Sequence, residues 1–303
     1  MNTMKNIFII LLLLSLMGSC AGLGGNYHWI LDLFSHFNLQ YMAMGAIGFL
    51  IFLFMKPKKY LLLSLLIIGI NLFTILPYIT FAKDSKKPTN RQLKILSYNV
   101  YSQSESYLQV FNEIKVKNPD IIFLMEVTPE WTKKLKPLKK IYPYVILKPQ
   151  FDNFGVAMYS KHKYIKARYK KFSEVPSICV KIRIKKKILN IIATHPYPPI
   201  GQDGTNLRNK HLAKIANFIQ RLKQPTILMG DLNITPFSPI YKNFLEKTKL
   251  QNFGILPTWN KNIPIFAIAL DHILISKEIT FLEKEIGESF GSDHNMIFTT
   301  VGF

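Results

Sequence analysis

The sequence predicts a soluble α/β domain of stacked β-sheets with helices outside, carried behind three membrane-spanning helices. Three observations predict this. Charge is partitioned: of 39 Lys+Arg and 18 Asp+Glu in 303 residues, the first 82 positions hold only Lys5, Asp32, Lys56, Lys58 and Lys59, leaving 35 basic and 17 acidic residues to the remainder. Past residue 92, apolar runs of strand length outnumber amphipathic helical stretches, and the helical stretches fall between pairs of those runs. Most of the runs also end in a polar residue suited to phosphate or metal chemistry.

The leader, residues 1–82, is a membrane anchor. A hydrocarbon core of ~30 Å needs roughly 20 apolar residues, and the stretches 7–23, 39–55 and 60–82 each meet or approach that length. Asn71 and Pro77 are tolerable in the last if it packs on its neighbours. A signal peptide, cleaved or lipidated at Cys20, is the competing reading of 7–23, but Met17-Gly18-Ser19-Cys20 is a poor lipoprotein motif and two more apolar stretches follow. Lys5 and the KPKK turn (Lys56 to Lys59) favour the cytoplasmic side, whereas the segment from Gly24 to Asn38 has no Lys or Arg. Three spans then place the soluble part outside the cytoplasm, in the multi-pass topology of a bacterial inner-membrane protein. Residues 83–92 are polar, contain Pro88 and form a linker; the catalytic-sized domain is 93–303.

With 35 basic against 17 acidic residues, the chain after residue 82 carries a net charge of about +18, which draws polyanions or anionic lipid surfaces. Heavy lysine usage set by base composition would give the same balance. Cys20 and Cys179 are the only cysteines, so a disulfide framework is not expected. No internal repeat is visible.

The elements follow in order. LKILSYNV (Leu93 to Val100) is a strand closing on Asn99. SYLQVFNEIKVK is a helix with Leu108, Phe111 and Ile114 on one side, stopped by Asn118-Pro119. DIIFLMEV is a continuous apolar run, the pattern of a strand buried on both faces, ending at Glu126. Thr128-Pro129 starts a short helix. GVAMYS, SICVKIRI and KILNIIAT are three further strands, and Lys181, Arg183 and Lys185 alternate with Ile182 and Ile184 as a solvated face. NLRNKHLAKIANFIQRL is an amphipathic helix with Leu207, Leu212, Ile215 and Ile219 inward. PTILMGDLN, FAIALDHILI and MIFTTVGF complete the strands.

Polar residues at strand ends are held by a rigid sheet and exposed by a loop. Here they are Asn99, Glu126, His195, Asp231, Asn233, Asp271, Asp293 and His294. The set is rich in hard oxygen donors and offers no Ser or Cys nucleophile with an evident base, which suits Mg²⁺ or Mn²⁺ and a phosphate ester. Asp231 is placed to activate water, Asn233 to hold phosphate oxygen, and His294, oriented by Asp293, to donate to the transition state. His272 points to the opposite strand face, and His28, His36, His162 and His211 lack acid partners; all five are structural. Trp259 is a core or loop anchor.

Taken jointly, SYNV, PDIIFLMEV, ATHPYPP, GDLNITPFSP, LDHILIS and GSDHNMI, in this order over about 200 residues, resemble the endonuclease/exonuclease/phosphatase (DNase I-like) superfamily. The apolar leader with DLFSHFNLQY before its second stretch resembles that superfamily's bacterial membrane-bound branch. The resemblance implies a four-layer α/β sandwich, two packed sheets flanked by helices, and divalent-metal hydrolysis of phosphate esters. By the same resemblance Asn99, Glu126, Asp271 and Asp293 are metal ligands. Asn99, His195 and Asn233 contact phosphate, and His195, Asp231, Asn233, Asp293 and His294 are catalytic. Pro196 and Asn295-Met296 depart from the family pattern, which touches substrate geometry more than metal chemistry. Asp152 and Glu174 are candidate acid partners of His195. The expected activity is nuclease-like phosphodiester cleavage; the alternatives are a phospholipid or inositol-phosphate esterase and a catalytically inactive membrane scaffold. The expected partners are a nucleic acid or phospholipid substrate and the membrane, with no protein partner.

Overall fold

The computed structural model describes residues 2–79 and 92–303. These fall into two compact units, the first made of the chain up to residue 80 together with Ile234–Asn243, the second of the remainder. The expected linker, 83–92, lies outside the described residues except for Gln92.

In the first unit the helices are α1 (Asn2–Leu23), α2 (Trp29–Ser35), α3 (Asn38–Phe54) and α4 (Lys59–Ile75). Two helical stretches are long and apolar enough to cross a membrane, Met4–Leu23 and Lys59–Tyr78, each with mean hydropathy 2.2. The second of the three expected spans is different. At about 1.5 Å per residue the 17 residues of α3 reach only ~25 Å, short of a ~30 Å core. A third span exists only if α2 and α3, bent by 55°, count as one. Helix α2 lies within the Gly24 to Asn38 segment between the first two expected spans, and His28 caps it by accepting from the Ile30 N–H. Leu12, Phe52 and Ile67 form the unit's core, and the Asn71 amide nitrogen donates to Ser19 Oγ at 2.8 Å and to the Ile67 carbonyl. Ser238 donates to Asp32 at 2.5 Å, and His36 Nδ1 lies 3.0 Å from Thr235 Oγ1.

The second unit holds two mixed sheets. Its elements are β1 (Gln92–Asn99), α5 (Tyr107–Lys117), β2 (Ile121–Met125), α6 (Pro129–Lys134), β3 (Tyr144–Lys148), β4 (Val156–Ser160), β5 (Tyr164–Lys171) and β6 (Pro176–Ile184). Then come β7 (Lys187–Ala193), α7 (Gly201–Ile219), β8 (Thr226–Asp231), α8 (Pro239–Thr248, shared between the units), β9 (Asp271–Ile275), β10 (Thr280–Ile286) and β11 (Ile297–Gly302). One sheet has the order β10-β11-β1-β2-β4-β3, the other β5-β6-β7-β8-β9. Each contains one parallel pair joined through a helix, β1–α5–β2 and β7–α7–β8; every other pairing is antiparallel.

Alternation along each strand builds the layers. Ile95, Ile121, Phe123, Met125 and Met158 join Ile178, Val180, Ile191, Ile227 and Ile273 in one core, so these faces of the two sheets meet. The alternate residues of the first sheet, Leu96, Tyr98, Ile122 and Leu124, join Val110, Ile114 and Trp131 in a second core under α5 and α6. On α5 the inward residues are Val110 and Ile114, whereas Leu108, expected inside, is 67% exposed. Helix α7 starts five residues earlier than expected and buries Thr205, Arg208 and His211 beside Leu212, Ile215 and Ile219.

Candidate active site

Both sheets deliver their polar residues at one end. Parallel pairing of β1 with β2 brings Asn99 opposite Met125, so Glu126 follows directly beside it. In the other sheet, Asp231 and Asp271 are paired across the β8–β9 ladder, and Ala193 pairs with Met229, which leads His195 to the same end. Gly230 makes this convergence possible. Its φ is +140°, and a Cβ there would lie 1.9 Å from the Thr194 carbonyl oxygen, so a residue with a side chain would force β7 and β8 apart just before Asp231.

Asn99 Nδ2 donates to Glu126 Oε1 at 2.9 Å and lies 3.4 Å from Asp231 Oδ2 and 3.5 Å from His294 Nε2. Glu126 Oε2 also accepts from the Ser102 N–H at 3.2 Å. His195 Nε2 and His294 Nε2 flank the same Asp231 oxygen at 3.5 and 3.6 Å. The other Asp231 oxygen accepts from the Asn233 N–H at 2.8 Å, while Asn233 Nδ2 donates to the Pro196 carbonyl at 3.0 Å. Glu126 and Asn233 both sit in the left-handed region, with φ +59° and +53°. For residues other than glycine this is strained backbone, held here by the bonds just described.

The orienting acid differs from expectation. His294 Nδ1 meets Asp271 Oδ2 at 2.8 Å. Asp293 instead accepts from Trp259 Nε1 at 2.7 Å, and its carbonyl accepts from the Lys261 N–H. Adjacent residues in extended chain point to opposite sides, and here Asp293 turns to Trp259 while His294 turns inward. Neither proposed partner of His195 reaches it. Asp152 accepts from the Phe154 N–H and the Gln150 amide in its own turn, and the His195 imidazole faces Asp231, with Nδ1 buried and without a hydrogen-bond partner.

Burial opposes charge on His294, but Asp271 and Asp231 outweigh it and push its pKa up to about 10. Burial likewise opposes charge on His195, and Asp231 and Glu126 again raise its pKa. For Asp231, burial is outweighed by the two imidazoles and its carboxyl is held below the usual range. Burial dominates at Asp271 and raises it. The site therefore holds an ionised Asp231 between two imidazoles inclined to carry charge.

Three carboxylates, Glu126, Asp231 and Asp271, are each at most 8% exposed, and Asp271 Oδ1 is buried without a hydrogen-bond partner. Ligand atoms of Asp231, Asp271 and His294 lie within 4.8 Å of one another. Buried carboxylates in excess of their cationic neighbours favour an added cation, and an oxygen-rich donor set fits Mg²⁺ or Mn²⁺.

Two supporting residues were not anticipated from sequence. His211, fully buried, bridges Ser173 Oγ at 2.8 Å and Thr194 Oγ1 at 2.7 Å, and Ser177 Oγ lies 2.7 Å from the same Thr194 oxygen. The residue before His195 is thus fixed by two side chains, His211 and Ser177, and His211 in turn by Ser173. Burial pushes the His211 pKa down to about 3, so the ring is neutral. Arg208, also fully buried, donates to the Asn233 carbonyl at 3.0 Å. Their signal was present: an Arg and a His three residues apart on the buried face of an amphipathic helix.

A family model described as Endonuclease/Exonuclease/phosphatase family matches residues 96–294. Among curated proteins, none matches the chain. Solved structures with the same fold include TDP2 from D. rerio complexed with single strand DNA product (18% identity, TM-score 0.58), which covers 71% of this chain and all of that one. The human Nocturnin catalytic domain with bound sulfate anion is also 18% identical at TM-score 0.58, over 70% of this chain and 94% of that one. Beta toxin from Staphylococcus aureus is 20% identical at TM-score 0.53, over 68% and 99%. At such identities the likeness extends to the fold.

Proposed function

Since this chain belongs to the Endonuclease/Exonuclease/phosphatase family, we propose that it is a membrane-anchored, divalent-metal-dependent phosphoesterase hydrolysing phosphodiester bonds by in-line attack of water. The observation that carries this reading is the pair of imidazoles, His195 and His294, set against one oxygen of a buried, ionised Asp231.

In this reading Asp231 orients the attacking water and accepts its proton as the oxygen–phosphorus bond forms. Asn233, whose backbone is pinned to Asp231 and to Arg208, presents its amide to a phosphoryl oxygen. His294, kept protonated by Asp271, donates to a non-bridging oxygen as negative charge grows there, and His195 acts from the other side. Asn99 and Glu126 would hold the divalent ion with Asp271 and water; when bound, the ion supplies Lewis-acid stabilisation of the phosphoryl group and leaving oxygen. Asp293, tied to Trp259, keeps the backbone that delivers His294 in place.

The test uses the full chain in detergent with bis(p-nitrophenyl) phosphate and Mg²⁺ or Mn²⁺. Turnover is expected to vanish with chelator and to fall by about a hundredfold or more in Glu126→Gln and His294→Ala, in line with loss of one charge-stabilising group. Equal, negligible turnover in wild type and both variants rejects the reading and leaves the scaffold alternative.

A further inference from the structure

The loops around this centre separate charge from apolar surface in a way the domain as a whole does not. Three of them hang from residues tied to the centre. Residues 149–154 carry Phe154, whose ring lies 5.8 Å from His195 and 4.5 Å from Tyr197, and Asn153, which accepts from Ser102. Residues 196–200 leave directly from His195 and end where α7 begins. Residues 259–267 begin at Trp259, which binds Asp293 and lies 6.4 Å from the His294 ring.

Their tips are apolar and bare: Phe151 is 92% exposed, Ile200 80%, Ile265 75%, Phe266 55% and Ile263 51%. In the second unit eleven large apolar side chains are exposed among the described residues, and five of them are these. Exposed apolar side chains borne on loops that leave one centre mark an interaction surface.

Most of the basic residues are elsewhere; Lys148, at the end of β3, and Lys170 and Lys171, at the end of β5, are the ones that reach this side. These three loops together with 101–106 and 287–293 contain Glu105, Asp152, Glu288 and Asp293 against a single Lys261. The stretch 161–187 holds eleven Lys and Arg against Glu174 alone. A long polyanion threaded to the centre would need cations along the mouth to neutralise successive phosphates. An ester with one phosphate and alkyl chains needs apolar contact instead.

Resting on the phosphoesterase reading, we propose that the substrate is an amphiphilic phosphodiester presented at a lipid surface, with Phe151, Ile200, Ile265 and Phe266 entering the apolar layer around it. The same chain carries helices long and apolar enough to cross a membrane, which makes lipid the amphiphile at hand. The basic stretch 161–187 is left to attract an anionic surface rather than to guide substrate.

The experiment keeps the leaving group constant and varies only the tail. The full chain in detergent micelles with Mg²⁺ is given methyl, octyl and dodecyl p-nitrophenyl phosphate. The expected result is a kcat/KM that rises with chain length, and a dodecyl-to-methyl ratio that falls by about tenfold or more in F151S/I200S/I265S, since burial of each large apolar side chain is removed. These side chains are solvent-exposed, so folding is not at stake, and the ratio cancels any common change in activity. A flat series overturns the proposal, as does a rise that survives in the variant, which would be simple partitioning into micelles. So does a thymidine oligonucleotide cleaved with higher kcat/KM than the dodecyl ester. If none of the three esters and no oligonucleotide is hydrolysed, the phosphoesterase reading fails together with this one, a result distinct from the other three.

Discussion

Asp271 Oδ2 lies 2.8 Å from His294 Nδ1, although twenty-two residues separate the two and Asp293 is next to the histidine in the chain. Asp271 accepts from the Nδ1–H of the charged ring, fixes its orientation and aims Nε2–H at Asp231.

Asp271→Asn should therefore cost more than Asp293→Asn. The expectation is a fall in kcat of about a hundredfold for the first and less than about tenfold for the second, the range typical of partners that orient a working imidazole. Steady-state kinetics on bis(p-nitrophenyl) phosphate measures both, and the reverse order would show that Asp293 is the orienting acid after all.

Acid should destabilise the protein through His211. Its folded pKa, about 3, lies below the ordinary value of 6.5, so between these limits the unfolded chain binds a proton that the folded chain refuses. Stability from this group is full above pH 6.5 and is lost as pH falls, by ~1.4 kcal/mol per pH unit in that window. Thermal unfolding of wild type and His211→Gln across pH 4 to 8 tests this. The variant should be less stable at neutral pH by about 1–3 kcal/mol, from broken buried hydrogen bonds, yet lose less on acidification; parallel pH curves sink the idea.

Divalent ions should stabilise the fold. A ligand bound only by the native state adds ~2.7 kcal/mol at a hundredfold excess over Kd, so Mg²⁺ or Mn²⁺ should raise the unfolding temperature of wild type. Glu126→Gln should lose most of that rise. An identical rise in the variant would move the ion off Glu126.

Topology turns on parity. Two spans return the catalytic unit to the side of Lys5, and three put it across the membrane; the positive charge at Lys5 and Lys56 to Lys59 favours three. A periplasm-dependent phosphatase reporter fused after Phe303 should be active. An inactive fusion that is stably made would mean that α2 and α3 do not cross as one.

How much was legible follows burial. The strands predicted from sequence, β1, β2, β4, β6, β7, β8, β9 and β11, are those with long apolar runs, and all are strongly buried. The three not anticipated, β3, β5 and β10, are edge strands. YIKARYKK and TFLEKEI carry the charges that keep an edge from pairing with another chain, and those charges erase the alternation by which a strand is read. In the site, strand-end residues were legible because each ends an apolar run. Pairings across the fold were not: Asp271 with His294, Trp259 with Asp293, and His211 with Thr194 join residues whose separation carries no pattern. Chain adjacency suggested Asp293 for the role that Asp271 fills.

The duplicated crossover has a consequence for dividing the chain. One parallel pair supplies Asn99 and Glu126, the other leads to His195 and Asp231, and His294 stands just before β11. Neither crossover owns the whole set, so a fragment carrying one of them keeps a sheet and loses the centre, which exists only where the ends of both sheets meet.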